Sequence, residues 1–384
     1  MTGATLVLSG QVPGRGPCLA ILANRAYRIE PGRRASPLRD EMPVSLEPAY
    51  APSSNEGAGR RLVEEAHTTA VARPLTDVLV RGTARSLRGP VPVVETGVRV
   101  GGARKAVRAV GDRRIGVTPT GLSFSSPEPF VEMPLLWDRA YGGRDLHAER
   151  LLAKQARRGR TGPQNDLAPL DPQLLYPRNG AGRGYALDLD RARLECTPAP
   201  NLEDPTDPVT PDRLLSATRT DWIDRPIAAC YEPIDVFTFP RAAFLLRPAF
   251  DSPQRPVHEL SVGAVLREDL EKKLDPRNFM SPRMYNAAPA GLAVCRLGGA
   301  ERVSLWNMHA KHEVLEFELP DDRPRLLIEP PRVTARELAP LLQNVLIEPD
   351  QDRVTLTWTG VLPVAMPYPD EMVAVMRHGV VWSR

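Results

Sequence analysis

The stretch of sequence that decides the fold is DVLVRGTARSLRGPVPVVETGVRVGGARKAVRAVGDRRI, at residues 77–115. It holds three runs rich in valine or in alternating apolar residues, at 77–86, 91–100 and 105–115. The tripeptide RGP and the dipeptide GG separate these runs, and both are typical of turns. Short β-branched runs between turns are typical of strands. The segment therefore predicts three successive strands within one sheet or one sandwich.

Similar patterns occur on both sides of this segment. They predict further strands at 5–12, 18–31, 292–297, 303–308, 314–319 and 325–329. Near the end of the chain, NVLIEP at 344–349 and RVTLTWTGVLPV at 353–364 predict a hairpin, with PDQD at 349–352 as its turn. The sequence shows no repeat of fixed period, which argues against a solenoid or a propeller.

Helical patterns are few. Apolar spacing and a basic C-terminal end predict helices at 145–158 and 259–273. The segment 333–343 predicts a short helix or turn that Pro340 interrupts. The chain contains 41 prolines and 28 glycines, which break helices and interrupt central strands. We therefore expect a mainly β protein with β-sandwich-like sheets, long Pro-rich loops and a few short helices.

The density of proline divides the chain into three ranges. We expect an N-terminal β region at 1–118, a Pro-rich irregular region with short helices at 119–290 and a C-terminal β region at 291–384, packed as one unit. Hydrophobic residues make up 42% of the sequence, which is enough to form a core.

Charge and composition exclude several classes of partner. The formal net charge is +3, from 50 Lys and Arg against 47 Asp and Glu, so no strong field attracts nucleic acid or a membrane surface. The N-terminus lacks the pattern of a secretory signal, and no apolar run approaches the ~18 residues of a membrane span. Four cysteines without paired spacing suit free thiols in a reducing compartment. We expect a cytoplasmic protein.

The search for a catalytic or cofactor site finds little. GAGRG at 180–184 has the glycines of a phosphate loop, but no strand precedes it, so a tight turn is favoured. His309 and His312 lack a third metal ligand and the Glu of a zinc helix. No serine or cysteine lies in a recognisable nucleophile motif. We therefore expect no metal and no cofactor.

Two pairs of adjacent carboxylates complete this search. In Glu64-Glu65 and in Asp321-Asp322, the two side chains of each pair are adjacent in sequence and so point in different directions. We expect them at the surface or in turns. Acid–base hydrolysis needs two carboxylates that converge across a cleft, and sequence alone does not exclude such a pair. The sequence predicts a protein that is not an enzyme.

Two aromatic-rich segments are informative. LLWDRAYGG at 135–143 and DWIDR at 221–225 combine Trp, Arg and acidic residues. One interpretation is structural, because buried rings and Gly-Gly stabilise an ordered corner of a long loop. The other is functional, because Trp, Tyr and Arg often anchor interfaces. The candidate partner-binding residues are Trp137, Arg139, Tyr141, Trp222 and Arg225.

At these segments the chain resembles a known family, the accessory proteins encoded beside the effectors of bacterial type VI secretion systems. LLWDRAYGG is similar to the family's Trp-x-Arg-Ala-aromatic-Gly-Gly signature. The other similar segments follow in order along the chain: RPLTDVLVRGTA (73–84), VGDRRI (110–115), YPRNGAGRGYA (176–186), APNLEDP (199–205), RMYNAAP (283–289) and TLTWTG (355–360).

The resemblance implies an adaptor or chaperone that stabilises a cognate secreted effector or loads it onto the spike-tip proteins. Two alternatives stay open: an enzyme that acts on carbohydrate or peptide, and a structural component of a contractile secretion particle. The chain departs from the family pattern at Asn24-Arg25, at Gly180 after Asn179, and over 226–282. The departures at 226–282 put the specificity for a partner in doubt.

Overall fold

The computed structural model describes residues 5–12, 16–39, 42–51, 61–67, 71–144, 176, 178–185, 197–214, 225–236, 238, 241, 285–331 and 333–382. Of these, 47% lie in strands and 6% in helices, which confirms the predicted mainly β fold.

The strands are short and are joined by irregular connections. In chain order they are β1 (Thr5–Val12), β2 (Gly16–Arg28), β3 (Ser36–Pro37), β4 (Ala49–Tyr50), β5 (Leu62–Glu64), β6 (Thr76–Val80), β7 (Thr83–Arg85), β8 (Val93–Val100), β9 (Ala103–Val110), β10 (Ile115–Thr118), β11 (Gly121–Phe124), β12 (Glu132–Pro134), β13 (Tyr141–Gly142), β14 (Arg183–Gly184), β15 (Leu202–Glu203), β16 (Ala293–Val294), β17 (Arg302–Trp306), β18 (Val314–Glu318), β19 (Pro324–Glu329), β20 (Arg336–Leu338), β21 (Leu341–Glu348), β22 (Arg353–Pro363) and β23 (Arg377–Trp382).

Three sheets organise the fold. The first sheet has seven strands in the order β1-β2-β22-β21-β6-β16, with β3 paired to β2. Only β21 and β6 pair in parallel within it. The second sheet has the order β15-β9-β8-β17-β18, and the third has the order β20-β19-β23.

The segment that decides the fold is divided between two of these sheets. Its first run contributes β6 to the first sheet, and its other runs form the β8–β9 hairpin of the second sheet. Strands from 1–118 and from 291–384 pair within both sheets, so these two ranges fold together. The boundaries of the three predicted ranges stay predictions.

The main core lies between the first and second sheets, as in a sandwich. It includes Val345 and Trp358 from the first sheet and Val98 and Phe317 from the second. A further cluster joins the other face of the first sheet to the third sheet and to a short helix near the C-terminus. Because the first sheet is covered on both faces, β2 is buried almost without alternation.

The C-terminal hairpin is confirmed, but the helix or turn predicted at 333–343 is wrong. β21 and β22 are antiparallel, joined by a 3-10 turn at Pro349–Gln351 and by Asp352 at φ 47°. Residues 336–338 instead form β20, because Leu338 pairs with Leu326 and buries its side chain in the core of the third sheet.

Helices are short in the described part of the chain. They are α1 (Pro211–Leu214) and α2 (Asp370–Ala374), with a 3-10 turn at Trp137–Arg139. The helices predicted at 145–158 and 259–273 lie outside the described residues. Among the helices that are described, none has the length and apolar character needed to cross a membrane.

Candidate functional site

The LLWDRAYGG segment forms an ordered corner, here called the Trp137 corner. It consists of the 3-10 turn at Trp137–Arg139 followed by β13. The Trp137 indole donates a hydrogen bond to the carbonyl of Pro233 at 3.0 Å. The Trp137 backbone N–H donates to Glu232 Oε2, also at 3.0 Å. With its ring buried and both N–H groups bonded, the corner is held in one conformation.

Two glycines complete the corner because the chain turns there in a conformation that other residues rarely adopt. Gly142 has φ 146° and Gly143 has φ 97°. A Cβ atom on Gly142 would overlap the carbonyl oxygen of Asn179, and one on Gly143 would overlap that of Gly182. Only glycine permits both the backbone angle and this close approach.

The YPRNGAGRGYA segment is bound directly to the corner through Asn179. Its side-chain amide donates to the carbonyls of Trp137 at 2.9 Å and Tyr141 at 3.1 Å. The N–H of Gly143 donates back to the Asn179 carbonyl at 2.8 Å. Residues 180–181 of the GAGRG sequence form a turn, which confirms the predicted tight turn. Residues 183–184 then form β14, where Gly184 has φ 92°.

The APNLEDP segment joins the same corner through the buried side chain of Asn201. Its amide nitrogen donates to the Val110 carbonyl at 3.0 Å and to Asp112 Oδ1 at 2.8 Å. Its amide oxygen accepts bonds from Arg139 Nη1 at 3.4 Å and Arg183 Nη1 at 3.0 Å. One asparagine therefore links the second sheet to two loops.

A buried aromatic cluster lies behind the corner. The rings of Tyr141 and Tyr176 meet edge to face at 4.8 Å, and Tyr176 and Tyr185 are 5.5 Å apart. The Arg225 guanidinium lies 4.7 Å from the Tyr185 ring centre and donates to the Tyr141 hydroxyl at 3.1 Å. Burial raises the pKa of the Tyr141 hydroxyl, and Arg225 opposes this only in part.

A buried ion pair supports the other side of the corner. Arg61 Nη1 lies 2.5 Å from Glu232 Oε1, and Arg61 Nε lies 3.2 Å from Asp138 Oδ1. Burial raises the pKa of the Glu232 carboxyl, while Arg61 lowers it. The adjoining cavity, lined in part by Trp137 and Asn179, measures about 20 Å³. That is room for about one water molecule.

The structure brings four of the five predicted site residues together. Trp137, Tyr141 and Arg225 are buried and bonded within the chain, and Arg139 is partly exposed. Trp222 lies outside the described residues. In the described structure these side chains hold the loops in place. That they contact a partner protein stays a prediction.

A second polar centre, here called the Asp77 hub, was missed by the analysis of the sequence. Asp77 is 0% exposed. Its Oδ1 accepts bonds from Asn286 Nδ2 at 2.8 Å and from the Ala288 N–H at 3.2 Å. Its Oδ2 accepts from the Ala287 N–H at 2.9 Å and from Arg73. The RPLTD and NAAP segments, which are far apart in sequence, therefore meet at this carboxylate.

The Asp77 hub continues as a chain of buried charges. Arg73 also pairs with Glu65, whose other oxygen lies 2.5 Å from Arg241 Nη2. Burial opposes the charged form of Arg73, but Glu65 and Asp77 outweigh it and raise the pKa of the guanidinium. The alternation of opposite charges compensates for the removal of each from water.

The adjacent carboxylates were expected at the surface or in turns, and this is wrong for two of them. Glu65 is buried in the Asp77 hub. Asp322 is also buried, 2.5 Å from Arg25 Nη1 and 3.1 Å from the Tyr27 hydroxyl. Both carboxylates are buried because a basic partner from a distant part of the chain accompanies each of them, which adjacent residues do not reveal.

His309 and His312 stack with ring centres 4.9 Å apart, and His309 Nε2 lies 3.0 Å from Asp352 Oδ1. Within the described ranges, no three His, Cys, Asp or Glu side chains are grouped as metal ligands.

A polar face of the first sheet lies near the Asp77 hub. Asn24 and Thr355 line a cavity of about 70 Å³ there, and each has a buried oxygen without a hydrogen-bond partner. His67 covers part of this face: its Nδ1 accepts from the Ser45 N–H at 3.1 Å, and its Nε2 lies 3.5 Å from Thr357 Oγ1.

His67 is expected to make stability depend on pH. Burial, and then Arg73, lower the pKa of the imidazole from 6.5 to about 4, against smaller opposing effects of Ser45 and Glu64. The unfolded chain therefore binds a proton that the folded chain excludes as pH falls from 6.5 towards 4. Lowering the pH across that window should therefore lower the free energy of unfolding by about 3 kcal/mol.

Denaturant unfolding of wild type and His67→Gln at several pH values measures this contribution. The stability of wild type relative to His67→Gln should fall by about 3 kcal/mol as the pH is lowered from 7 towards 4. The exposed Ser126 provides a control, because Ser126→Gln changes no titratable group and should leave the pH dependence unchanged. A constant difference between wild type and His67→Gln at all pH values would contradict the prediction.

Fold and site together define a class of protein: a β-rich scaffold whose irregular loops are fixed by buried asparagine, arginine and carboxylate side chains. Residues 14–359 match the family described as "Uncharacterized protein conserved in bacteria (DUF2169)". The match spans most of the chain, and the chain belongs to this family. No curated protein and no solved structure matches it.

Proposed function

We propose that this protein is an accessory protein of a type VI secretion system. It acts in the cytoplasm as an adaptor or chaperone that binds a cognate secreted effector and stabilises it or loads it onto the spike tip. It acts by binding and not by catalysis, and it uses no cofactor.

The observation that carries the proposal is the meeting of three motif segments at the Trp137 corner. LLWDRAYGG, YPRNGAGRGYA and APNLEDP resemble segments of the accessory family, and hydrogen bonds from their polar side chains to side chains and backbone carbonyls join them. The side-chain amides of Asn179 and Asn201 form hydrogen bonds with groups inside the chain. Such bonds suit a rigid loop surface that is presented to another protein.

Exposed apolar side chains add support. Val333, Met366, Met372, Val375 and Val381 are at least 40% exposed, and all lie in the last 52 residues of the chain. Val333 also shares an open groove with Leu362, Val364 and Tyr368, and contiguous apolar surface is typical of sites that bind proteins.

Co-expression with the product of the adjacent gene tests the proposal. We expect a stable stoichiometric complex on size-exclusion chromatography, and a loss of soluble neighbouring protein when this chain is omitted. The two proteins eluting separately, with the neighbour equally soluble alone, would overturn the proposal. Co-purification with assembled particles at a fixed copy number would favour a structural component instead.

A further inference from the structure

The strand β1 lies at one edge of the first sheet. Its eight residues, TLVLSGQV, pair with β2 without a break in register. Among the residues that the structure describes, no strand pairs with its other side. In an antiparallel pair, the N–H and C=O groups of alternate residues point away from the partner strand. The outer side of β1 therefore presents a row of backbone donors and acceptors.

In the described part of the chain, β1 lacks the features that usually protect such an edge. Edge strands are commonly very short, charged, interrupted by proline or bulged, or are covered by another segment. β1 contains no charged residue and no proline, and its pairing with β2 shows no bulge. By contrast, the edge strand β18 carries Glu316 and Glu318, and the segment 32–35 bonds to its backbone. β16, at the other edge of the first sheet, has two residues.

Apolar surface lies next to this edge. The helix α2 packs against β1, and its Val373 shares a buried cluster with Val7 of β1. On the same helix Met372 is 40% exposed, and just after it Val375 is 77% exposed. A strand added beside β1 would have apolar surface to cover as well as backbone groups to bond.

We propose that β1 is the docking site for an extended segment of the protein partner, which adds a strand to the first sheet. The segment is uncharged, because β1 offers no charge to pair with, and its apolar side chains alternate so that one set faces α2. Backbone hydrogen bonds supply affinity, and alternate side chains supply specificity. This inference rests on the proposed function, since it states how the partner is held.

Lysine at the edge provides the test, because lysine on an edge strand disfavours the addition of another strand. The double variant Thr5→Lys/Ser9→Lys places charge on the outer strand at two half-buried positions. Thr120→Lys/Ser126→Lys is the control, which adds the same charge at two exposed positions outside the first sheet. With the adjacent gene product as the probe, the double variant should raise Kd by at least about tenfold. The control should bind like wild type.

Hydrogen exchange on the wild-type protein gives an independent measurement. Alternate amides of β1 should exchange fast in the free chain and become protected in the complex. If they are already protected in the free monomer, another part of the chain covers the edge and the inference is overturned. If light scattering shows a wild-type dimer that the lysines dissociate, a second copy occupies the edge, which also overturns it.

The two proposals fail in different ways. If wild type does not bind the adjacent gene product, the proposed function fails. If wild type binds and the double variant binds equally well, the role of β1 is overturned while the proposed function stands.

Discussion

Replacing Asp77 by alanine is expected to lower the free energy of unfolding by about 3–5 kcal/mol, the usual cost of removing one partner of a buried ion pair. The change leaves the Arg73 guanidinium, which is 4% exposed, without one of its two carboxylates. It also removes one of the two acceptors of the Asn286 amide and the acceptor of the Ala287 and Ala288 N–H groups. Urea unfolding followed by tryptophan fluorescence measures the loss, and a strong drop in soluble yield should accompany it.

A surface ion pair provides the control for this prediction. Glu313 pairs with Arg88, with 55% and 81% of their side chains exposed. Glu313→Ala should change the stability by no more than about 1 kcal/mol. Asp77→Asn, which keeps the shape and one acceptor oxygen, should fall between the two. Equal stability of Asp77→Ala and Glu313→Ala would show that the Asp77 hub does not hold the loops together.

Trp137→Ala should lower the free energy of unfolding by about 3–5 kcal/mol, which is typical of a buried aromatic ring replaced by alanine. The ring is 7% exposed and belongs to the main core. Its loss also leaves the Pro233 carbonyl without the indole donor. Thermal unfolding by circular dichroism measures the effect, together with titration of the adjacent gene product.

Trp137→Phe separates the structural role from direct contact with a partner. It keeps most of the ring and removes the indole N–H, at an expected cost of about 1 kcal/mol. Since the ring is buried, this variant should bind the partner with the affinity of wild type. A folded Trp137→Phe protein that no longer binds would instead place the indole in the interface.

The sequence predicted the strands better than their arrangement. Valine-rich runs and turn residues indicated the β8–β9 and β21–β22 hairpins, because hairpins depend on neighbouring residues. The parallel pairing of β6 with β21 joins residues about 270 positions apart, and no local pattern encodes it. The segment at 333–343 was misread because its spacing suits a short helix, whereas tertiary pairing with β19 makes it a strand.

Only part of the candidate site was predicted, because the rest depends on contacts between residues that are far apart in sequence. Trp137, Tyr141 and the two glycines lie together in sequence, so the ordered corner could be inferred. Asp77 and Asn286 are separated by more than 200 residues, and each alone looks like an ordinary polar residue. A carboxylate beside the apolar run VLV within one strand, as in TDVLV, is a local signal from which a buried partner could have been inferred.

The pairing of β2 with β22 has a consequence for how the protein is made. β2 leaves the ribosome before its neighbour on one side, which consists of residues 353–363. The apolar residues of β2 stay without that neighbouring strand until residues 353–363 have also been translated. Nascent chains interrupted before this point lack a central strand of the largest sheet, so they should be substrates for general chaperones and proteases and not partly active fragments.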